Sequence, residues 1–261
     1  MEFLKVTAKD NKLIKKIKKL VSSASYRREE NAFVLEGLRL VLDAAKNGYA
    51  IETLVVSESF LEANADLKEV QSSKQRIVLP DSLFKTLCDT VNPQGILCVV
   101  KIPDTCFSVE KIGIGKYLIL ENTQDPANLG AIARTAEALG VDGLIVSSKG
   151  CDPFSPKAQR AAMGALVRFP IYLSYDIIED TRKLKDKGFS IYASVVSDAD
   201  CEITKVSYDA PSVVVIGNEA NGVTEEMVNI ANKRITIPMS GRAESLNAAA
   251  AAAIIIWEMV K

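Results

Sequence analysis

The stretch VVVIGNEANGV, residues 213–223, decides how the second half of this chain folds. Its apolar run is long enough for one buried strand and stops at Gly217. A carboxamide, a carboxylate and a second glycine follow at Asn218, Glu219 and Gly222, and a predicted helix comes next. A strand, a polar loop and a helix in this order are typical of a parallel sheet, in which ligands bind beyond the carboxyl ends of the strands.

Further apolar strands and helices alternate around this stretch. The predicted strands are YLILEN, DGLIVS, FSIYASVV, PSVVVIG and KRITIP, and helices are predicted at about 129–139, 156–166 and 176–188. Continuous apolar strands joined by helices predict an α/β fold whose parallel sheet has helices on both faces. The closing helix, in SLNAAAAAAIIIWEMV, is apolar all round, so the domain or a second subunit is expected to cover most of it.

The first hundred residues show a separate pattern. The predicted strands are AFVLEG, IETLVVS, QRIVLP and GILCVVK, with helices over GLRLVLDAAKNG and DSLFKTLCD, which indicates a small α/β unit. The segment IPDTCFSVEKIGIGK has little apolar pattern and predicts a linker. We therefore expect an N-terminal domain over 1–105, a linker over 106–115 and a second domain over 116–261.

Composition excludes several kinds of chemistry. The 261 residues include no histidine, which excludes Ser-His-Asp catalysis, Cys-His catalysis and histidine-ligated metals. The five cysteines are scattered without a CxxC pair, so they predict reduced thiols, with no disulfide frame and no metal site. No apolar run is long enough for a membrane span, and the N-terminus lacks the apolar core of a signal peptide, so we expect a cytoplasmic protein.

Basic residues crowd the N-terminus although the whole chain has a net charge of −1. Lysines surround a predicted amphipathic helix at residues 10–24. A solvated helix with a lysine-rich outer face explains the pattern, and an RNA-facing helix is the sharper interpretation. The phosphate contacts expected from the second interpretation are Lys12, Lys15, Lys16, Lys19, Arg27 and Arg28.

Common nucleotide-binding motifs do not explain the polar loops of the second half. There is no GxxxxGK[ST] motif, and the GIG of residues 113–115 precedes a strand instead of following one. Asn128 and Ser245 could each be only the N-cap of a helix, and Gly217 and Gly222 could serve only a tight turn. An arginine such as Arg134 could merely extend to the surface.

The order and spacing of three segments resemble a known family. Three segments resemble the three signature motifs of the SpoU (TrmH-type) RNA ribose methyltransferases, within the SPOUT class. They are ENTQDPANLGAIARTAEALG, VVVIGNEANGV and ITIPMSGRAESLNAAAAAA. The stretch SSASYRREENAFVLEGLRLVLDA resembles the substrate-binding domain of many members, a ribosomal-protein-type RNA-binding α/β unit. The resemblance implies a deep trefoil knot in the C-terminal domain, and a homodimer with its active site near the knot and the subunit interface.

The cofactor implied by this resemblance is S-adenosyl-L-methionine, and no metal is implied. Gly217, Ile237 and Leu246 match positions where the family's backbone cradles the adenine and ribose. Met239 and Val195 are expected to line the same pocket. Gly217 is then expected to let the backbone approach a flat ligand without a side chain in the way.

The resemblance also implies five catalytic positions, which are Arg134, Asn128, Glu219, Ser245 and Asn247. The family's arginine is often described as the base, but a guanidinium stays protonated in proteins. We expect Arg134 to stabilise the incipient alkoxide and position a phosphate, while the proton leaves through water or phosphate. Asn128 and Glu219 are expected to order the site and contact substrate, and Ser245 and Asn247 to place the last loop; alternatively, Glu219 only fixes its loop by accepting backbone N–H bonds.

Ribosomal RNA is the preferred substrate, because minimal tRNA-specific members often lack such an N-terminal domain; transfer RNA stays open. Two departures, Ala249 and Ala162 where members often carry serine, affect fine substrate contacts. Three other classes are weighed against this interpretation: a non-catalytic RNA-binding or ribosome-assembly protein of the same fold, a base methyltransferase, and a nicotinamide-dependent enzyme. The SLN and NLGAIAR motifs favour the ribose, and the position of GIG argues against nicotinamide binding.

Overall fold

The computed structural model describes residues 3–64 and 73–261. The strands are β1 (Leu4–Lys5), β2 (Ala32–Glu36), β3 (Ile51–Ser57), β4 (Gln75–Leu79), β5 (Ile96–Lys101), β6 (Lys116–Leu120), β7 (Gly143–Ser147), β8 (Ile171–Ser174), β9 (Ser190–Ser194), β10 (Cys201–Glu202), β11 (Ser212–Ile216) and β12 (Lys233–Thr236). The α-helices are α1 (Lys12–Ser22), α2 (Ala24–Glu30), α3 (Leu38–Lys46), α4 (Glu58–Ala63), α5 (Asp81–Lys85), α6 (Pro126–Leu139), α7 (Pro156–Ala162), α8 (Ala165–Arg168), α9 (Ile177–Asp186), α10 (Glu225–Ile230) and α11 (Ala248–Val260).

The chain forms two compact units. The first comprises Met1–Asp104 and Phe154–Arg168, and the second comprises Thr105–Pro153 and Phe169–Lys261. A short segment from the second half of the sequence therefore folds with the first unit. Within that unit, the ring of Phe154 packs on Phe33 with centroids 4.9 Å apart, and Arg168 forms an ion pair with Asp43 at 2.5 Å.

The first unit is built on a mixed sheet of order β1-β4-β3-β5-β2. Strands β1, β4 and β3 run parallel, while β5 is antiparallel to both of its neighbours. The apolar stripe of α1, made by Ile14, Ile17 and Leu20, is fully buried in the core of this unit. Asn11 begins the helix by accepting a hydrogen bond from the N–H of Leu13 at 2.8 Å.

The helix predicted over 156–166 is interrupted. Met163 and Gly164 have φ angles of +51° and +90°, so the chain leaves the right-handed helical region between α7 and α8. Left-handed backbone is a common way to end a helix, and glycine adopts it without a steric cost. The prediction of one continuous helix was wrong because it read an apolar pattern that continues across this break.

The second unit contains a seven-stranded sheet of order β10-β12-β9-β11-β6-β7-β8. Every pair of neighbouring strands is parallel, which confirms the predicted parallel α/β architecture. The central strand β11 is buried along its whole length. Strand β6 lies beside it, so the loops that follow these two strands leave the sheet next to each other. The trefoil knot stays a prediction.

The segment that was predicted as a linker, 106–115, packs within the second unit. Ile112 is fully buried in its core, and Phe107 and Val109 pack against the same cluster. The N–H of Phe107 donates to the carbonyl oxygen of Leu173 at 2.9 Å. Backbone pairing with β8 therefore anchors this stretch despite its weak apolar pattern.

All five cysteines are free thiols. Among the helices formed by residues 3–64 and 73–261, none is long and apolar enough to cross a membrane.

Candidate active site

The loop after β11 is a tight turn held by its own backbone. The N–H of Asn218 donates to the carbonyl oxygen of Gly222, and the N–H of Gly222 donates back to Asn218, both at 2.9 Å. The side-chain oxygen of Asn218 also accepts from the N–H groups of Ala220 and Asn221, at 2.9 and 3.1 Å. Gly222 has a φ of +68°, a conformation that side chains other than glycine rarely adopt. A tight turn therefore explains this second glycine.

Gly217 is a glycine for a reason that differs from the expected approach to a ligand. A Cβ atom at this position would overlap the backbone carbonyl carbon of Gly222 and the backbone nitrogen of Val223. The close approach is thus made by the chain's own turn, which folds back over the end of β11. Gly217 allows the loop to close, and the closed loop in turn shapes the adjoining cavity.

Glu219 joins this loop to the beginning of α6. One carboxylate oxygen accepts a hydrogen bond from the backbone N–H of Gln124 at 3.0 Å. The other accepts from the N–H of Asp125 at 3.1 Å and from the side-chain amide of Asn128 at 2.9 Å. N–H groups at the start of a helix have no partner in the helix itself, so a carboxylate is well suited to this place.

These hydrogen bonds set the ionisation of Glu219. Burial favours the neutral acid, but the hydrogen bonds from Asn128, Gln124 and Asp125 outweigh it, so the pKa of Glu219 lies below its ordinary value. The group is therefore a carboxylate at neutral pH and a weak base. Its contacts fit an ordering role better than proton abstraction, and they support the interpretation that Glu219 fixes its loop.

Asn128 links Glu219 to the start of the last helix. Its side-chain oxygen accepts from the side-chain amide of Asn247 at 3.1 Å, and Asn128 is only 8% exposed. Asn247 is the N-cap of α11, because its oxygen accepts from the N–H groups of Ala249 and Ala250. Glu219, Asn128 and Asn247 thus form a continuous chain of hydrogen bonds that joins the loop after β11, the first turn of α6 and the start of α11.

The alternative interpretation of two polar residues as helix caps was wrong. Asp125, not Asn128, caps α6 by accepting from the N–H of Ala127 at 3.0 Å, with Pro126 as the first helical residue. Asn247 takes the role that Ser245 could have had. Neither Asn128 nor Ser245 therefore caps a helix.

Glu121 is a further residue that the sequence did not single out. It is 1% exposed, and its carboxylate accepts from the N–H and the hydroxyl of Thr224 at 2.9 and 2.5 Å. Thr224 caps α10, so Glu121 holds the far side of the same loop. Its place directly after an apolar strand was the signal that could have revealed it.

Two adjoining cavities open beside this network. The larger has a volume of about 420 Å³ and is lined by the whole turn from Gly217 to Gly222. The smaller, of about 90 Å³, is lined by apolar residues that include Ile237, Met239 and Ile255. Both share one wall, which consists of Ser194, Val195, Val196, Ser245, Leu246 and Ala251.

All five residues predicted to hold the cofactor line these cavities. Gly217 lines the larger one, Ile237 and Met239 line the smaller one, and Val195 and Leu246 line both. An apolar slot that opens into a wider space of mixed polar and apolar lining suits a flat adenine ring with a polar ribose and amino-acid part. The residues therefore fit S-adenosylmethionine. Ser194, Val196 and Ala251 complete the shared wall and were not among the predicted residues; Ser194, as the last residue of β9, carried the signal of a strand's carboxyl end.

The five predicted catalytic residues are only partly brought together. Asn128, Glu219 and Asn247 form the hydrogen-bonded chain, and Ser245 lines both cavities. Arg134 lies six residues beyond Asn128 on α6, which is about 9 Å along the helix axis. Its side chain is exposed, it lines neither cavity, and it has no hydrogen bond or ion pair within residues 3–64 and 73–261.

The basic residues predicted to contact RNA fall into three groups. Arg27 is only 4% exposed, and its guanidinium donates to the backbone carbonyls of Leu20 and Val21, so it is a structural residue and we withdraw it from the set. Lys15 pairs with Asp10, and Lys16 pairs with Glu30 at 2.6 Å. The exposed remainder of the predicted set is Lys12, Lys19 and Arg28.

Comparison with known proteins agrees with this geometry. The SpoU rRNA methylase family matches residues 115–257, and the MRM3-like substrate-binding domain matches residues 11–98. The 23S rRNA (guanosine(2553)-2'-O)-methyltransferase RlmP of Bacillus subtilis is 28% identical over 95% of this chain and 96% of that protein. The 23S rRNA (uridine(2479)-2'-O)-methyltransferase of Streptomyces viridochromogenes is 26% identical over 93% of this chain and 87% of that protein. The AdoMet-bound rRNA methyltransferase of Sinorhizobium meliloti is 30% identical, with a TM-score of 0.86 over 98% of this chain and 97% of that one.

The parallel sheet, the polar loops at its carboxyl edge and the paired cavities define an RNA 2'-O-methyltransferase that uses S-adenosylmethionine. The chain belongs to the SpoU rRNA methylase family.

Proposed function

We propose that this enzyme methylates a ribose 2'-hydroxyl of ribosomal RNA, with S-adenosylmethionine bound in the paired cavities. The observation that carries the proposal is the chain of hydrogen bonds from Glu219 through Asn128 to Asn247, which joins the loop after β11, the first turn of α6 and the start of α11 beside those cavities. Two relatives that match almost the whole chain are 23S rRNA 2'-O-methyltransferases, which supports ribosomal RNA as the substrate. Such a substrate is also consistent with the predicted cytoplasmic location.

When bound, S-adenosylmethionine supplies an electrophilic methyl group. The residues of the chain then have to hold the ribose oxygen in line with that methyl group and exclude competing positions. Glu219 and Asn128 keep the loop after β11 and the start of α6 at a fixed separation. Ser245, on the shared wall of both cavities, places a hydroxyl beside the reacting groups, and Asn247 holds the loop that carries Ser245.

Arg134 is the group we propose for stabilising negative charge on the ribose oxygen. A guanidinium donates hydrogen bonds without losing its charge, so it can stabilise a developing alkoxide and an adjacent phosphate at once. The proton leaves through water or phosphate. Because Glu219 is a weak base with its oxygens already engaged, it does not compete for this proton.

We further propose that the enzyme is a homodimer that buries the exposed face of α11. Ala250, Ile254 and Trp257 follow one another along one face of this helix and are exposed; Ile254 is 40% exposed and Trp257 is 58% exposed. A large aromatic ring beside an isoleucine at helical spacing is typical of an interface and costs free energy in water. Covering this face is what the all-apolar composition of the helix predicts.

The proposed homodimer gives Arg134 a catalytic role that its position in a single chain does not. Helix α6, which carries Arg134, packs against α11. Arg134 is exposed and lines neither cavity of its own chain. We propose that Arg134 completes the active site of the second subunit, so that each site requires both chains.

RNA capture is proposed for the domain over 1–105, with catalysis in the domain over 116–261. The match of residues 11–98 to a substrate-binding domain supports this division. Lys12, Lys19 and Arg28 are exposed on α1 and α2 and are the proposed phosphate contacts of that domain. Phosphate contacts release counterions, so RNA binding is expected to weaken steeply as salt rises.

The proposal is tested by methyl transfer to ribosomal RNA from cells in which the gene has been deleted. The purified enzyme and labelled S-adenosylmethionine are incubated with this RNA, with ribosomal RNA from the parent cells, and with transfer RNA from the deletion cells. Label on a ribose in the first sample alone supports the proposal, because the parent RNA is already methylated. Label in transfer RNA, or on a base, would contradict it. Failure to bind S-adenosylmethionine in calorimetry would favour a non-catalytic RNA-binding protein.

A further inference from the structure

A second surface lies at the carboxyl edge of the sheet, next to the catalytic loops. Strands β6, β7 and β8 are neighbours, and Ser147 of β7 is in register with Ser174 of β8. The segment after β7 and the residue after β8, Tyr175, therefore leave the sheet side by side. The ends of β6 and β8 are separated by two strand spacings, which is about 10 Å.

The segment after β7 is fixed to the loop after β6 by several contacts. The hydroxyl of Ser147 donates to the side-chain oxygen of Asn122 at 2.8 Å, and the N–H of Cys151 donates to the carbonyl oxygen of Thr123 at 2.8 Å. A Cβ atom at Gly150 would come within 2.7 Å of the carbonyl oxygen of Thr123, so the two backbones are closely packed. This segment is therefore positioned by the loop that leads to α6.

A further contact connects Lys149 to the carboxylate of Glu219. The side-chain amide of Gln124 donates to the carbonyl oxygen of Lys149 at 3.3 Å, while the backbone N–H of Gln124 donates to Glu219. Gln124 therefore links the backbone of Lys149 to the carboxylate of Glu219 through two hydrogen bonds. Its ammonium group, in contrast, is exposed and has no partner within residues 3–64 and 73–261.

Tyr175 directly follows β8, the strand that pairs with β7 just before the segment of Lys149, and it faces solvent. It is 68% exposed, and its ring has no aromatic or cation partner among the described residues. The N–H of Ser148 donates to the carbonyl oxygen of Ser174 at 2.8 Å, which joins the two segments directly before Lys149 and Tyr175. Three acidic residues on the same edge already accept hydrogen bonds: Asp125 and Asp176 accept from backbone N–H groups as the caps of α6 and α9, and Asp180 accepts from the hydroxyl of Ser174 at 2.7 Å.

We propose that Lys149 and Tyr175 form a contact surface for the substrate RNA, in which Lys149 binds a phosphate and Tyr175 stacks on an unpaired base a few nucleotides from the methylated ribose. This inference rests on the proposed function. An aromatic ring provides a face for any unstacked base, and a lysine provides a point charge for the backbone. Because the segment carrying Lys149 is fixed to the Gln124 loop, the surface holds the strand in register with the reacting site.

The test uses the full-length chain with four substitutions. Tyr175→Ala removes the ring, Tyr175→Phe keeps a ring that can stack, and Lys149→Ala removes the charge. Lys233→Ala is the matched control, because Lys233 is also exposed but begins β12 at the opposite edge of the sheet. Each variant is measured for S-adenosylmethionine affinity, for kcat and KM in methyl transfer to ribosomal RNA, and for binding to two single-stranded RNA 12-mers, one with bases and one abasic.

If Tyr175 stacks on a base, the RNA affinities of the variants should differ in a specific way. Tyr175→Ala should weaken binding to the base-bearing 12-mer by about 5- to 20-fold and raise the KM for RNA by a similar factor, with unchanged affinity for the abasic strand. Tyr175→Phe should behave like the wild type. Lys149→Ala should weaken binding to both 12-mers equally and should reduce the salt dependence of RNA binding by the amount expected for about one phosphate contact. All variants should keep the wild-type affinity for S-adenosylmethionine.

Two results would overturn the inference: equal RNA affinity for Tyr175→Ala and the wild type, or equal losses for Lys149→Ala and Lys233→Ala. Either result leaves the proposed function standing if the wild type methylates ribosomal RNA. Conversely, a wild type that transfers no methyl group refutes the proposed function, while the two 12-mers still report whether the surface binds RNA.

Discussion

The side-chain amide of Asn128 donates a hydrogen bond to the carboxylate of Glu219 at 2.9 Å, across 91 residues of sequence. The same asparagine accepts from Asn247. An asparagine can do both because its side chain carries a donor and an acceptor, and no other residue of equal size does so at neutral pH. The pair therefore fixes where the loops after β6 and β11 lie beside the larger cavity.

Replacing Asn128 with aspartate exchanges the side-chain NH2 group for an oxygen, so that a hydrogen bond to Glu219 becomes a repulsion between two carboxylates. Two carboxylates at hydrogen-bond distance repel each other, so the pair is expected to retain a proton to a higher pH than either would alone. Asn128→Asp should reduce kcat/KM by about 10- to 100-fold at pH 8 and recover part of the loss at pH 6. The measurement is the pH profile of methyl transfer; a profile parallel to that of the wild type would contradict the role of this contact.

The lowered pKa of Glu219 predicts how its contribution to stability depends on pH. A carboxylate whose folded pKa is depressed stabilises the fold above its ordinary value of 4.5, and this contribution is lost as the pH falls through the lower folded value. Glu219→Gln should lower the free energy of unfolding by about 1 kcal/mol at pH 7, since the side chain is largely exposed.

The wild type and this variant should converge as the pH is lowered below 4.5. Urea unfolding at pH 7, 5 and 4 measures the difference. Glu226→Gln, which removes an exposed carboxylate paired with Arg182, is the control for a general charge effect. A difference for Glu219→Gln that does not change between pH 7 and pH 4 would contradict the assignment.

Gly217→Ala is expected to displace the turn that lines the larger cavity. The added Cβ atom overlaps the backbone of Gly222 and Val223, and neither can move without opening the turn. We expect the affinity for S-adenosylmethionine to fall by at least about tenfold, by calorimetry, while the fold is retained. Gly113→Ala is the matched control, because its Cβ atom would meet only the hydroxyl of Tyr117 at an ordinary distance of 3.8 Å. Unchanged affinity in Gly217→Ala would show that the turn does not shape the binding site.

Trp257→Asp tests the proposed dimer interface. A charge in the centre of an apolar contact is costly to bury, whereas the ring is already exposed in the single chain. We expect the variant to stay folded and to have the molar mass of a monomer by light scattering, where the wild type has twice that mass. Val91→Asp is the control, because Val91 is 79% exposed and belongs to the first compact unit, whereas α11 belongs to the second. Equal masses for the wild type and Trp257→Asp would contradict the interface.

Mixing two impaired variants tests whether Arg134 acts on the second subunit, at an S-adenosylmethionine concentration well below the Kd of Gly217→Ala. Arg134→Ala keeps an intact cavity, and Gly217→Ala keeps an intact arginine. If the arginine acts across the dimer, random exchange of subunits restores one complete site in each mixed dimer, which is about one quarter of the wild-type rate. If Arg134 acts within its own chain, no mixed dimer has a complete site and no activity returns. Arg134→Ala alone should keep normal affinity for S-adenosylmethionine.

Several features of this enzyme follow from its sequence alone. The parallel sheet of the second unit was readable because its strands are continuous apolar runs separated by helical segments, which is a local pattern. The cofactor residues Gly217, Ile237, Leu246, Met239 and Val195 were identified by resemblance, and all of them line the cavities. The absence of histidine restricts the possible chemistry through composition alone.

Tertiary structure decided matters that depend on contacts between distant residues. Arg27 looks like an RNA contact beside Arg28, yet its guanidinium donates hydrogen bonds to backbone carbonyls near the end of α1. Gly217 is required by its own turn, which only the folded loop reveals. The partners of Glu219, the break at Met163 and Gly164, and the exposed Tyr175 were likewise invisible to local pattern. Apolar periodicity specifies which residues are buried, whereas hydrogen-bond partners are set by which loops the sheet order brings together.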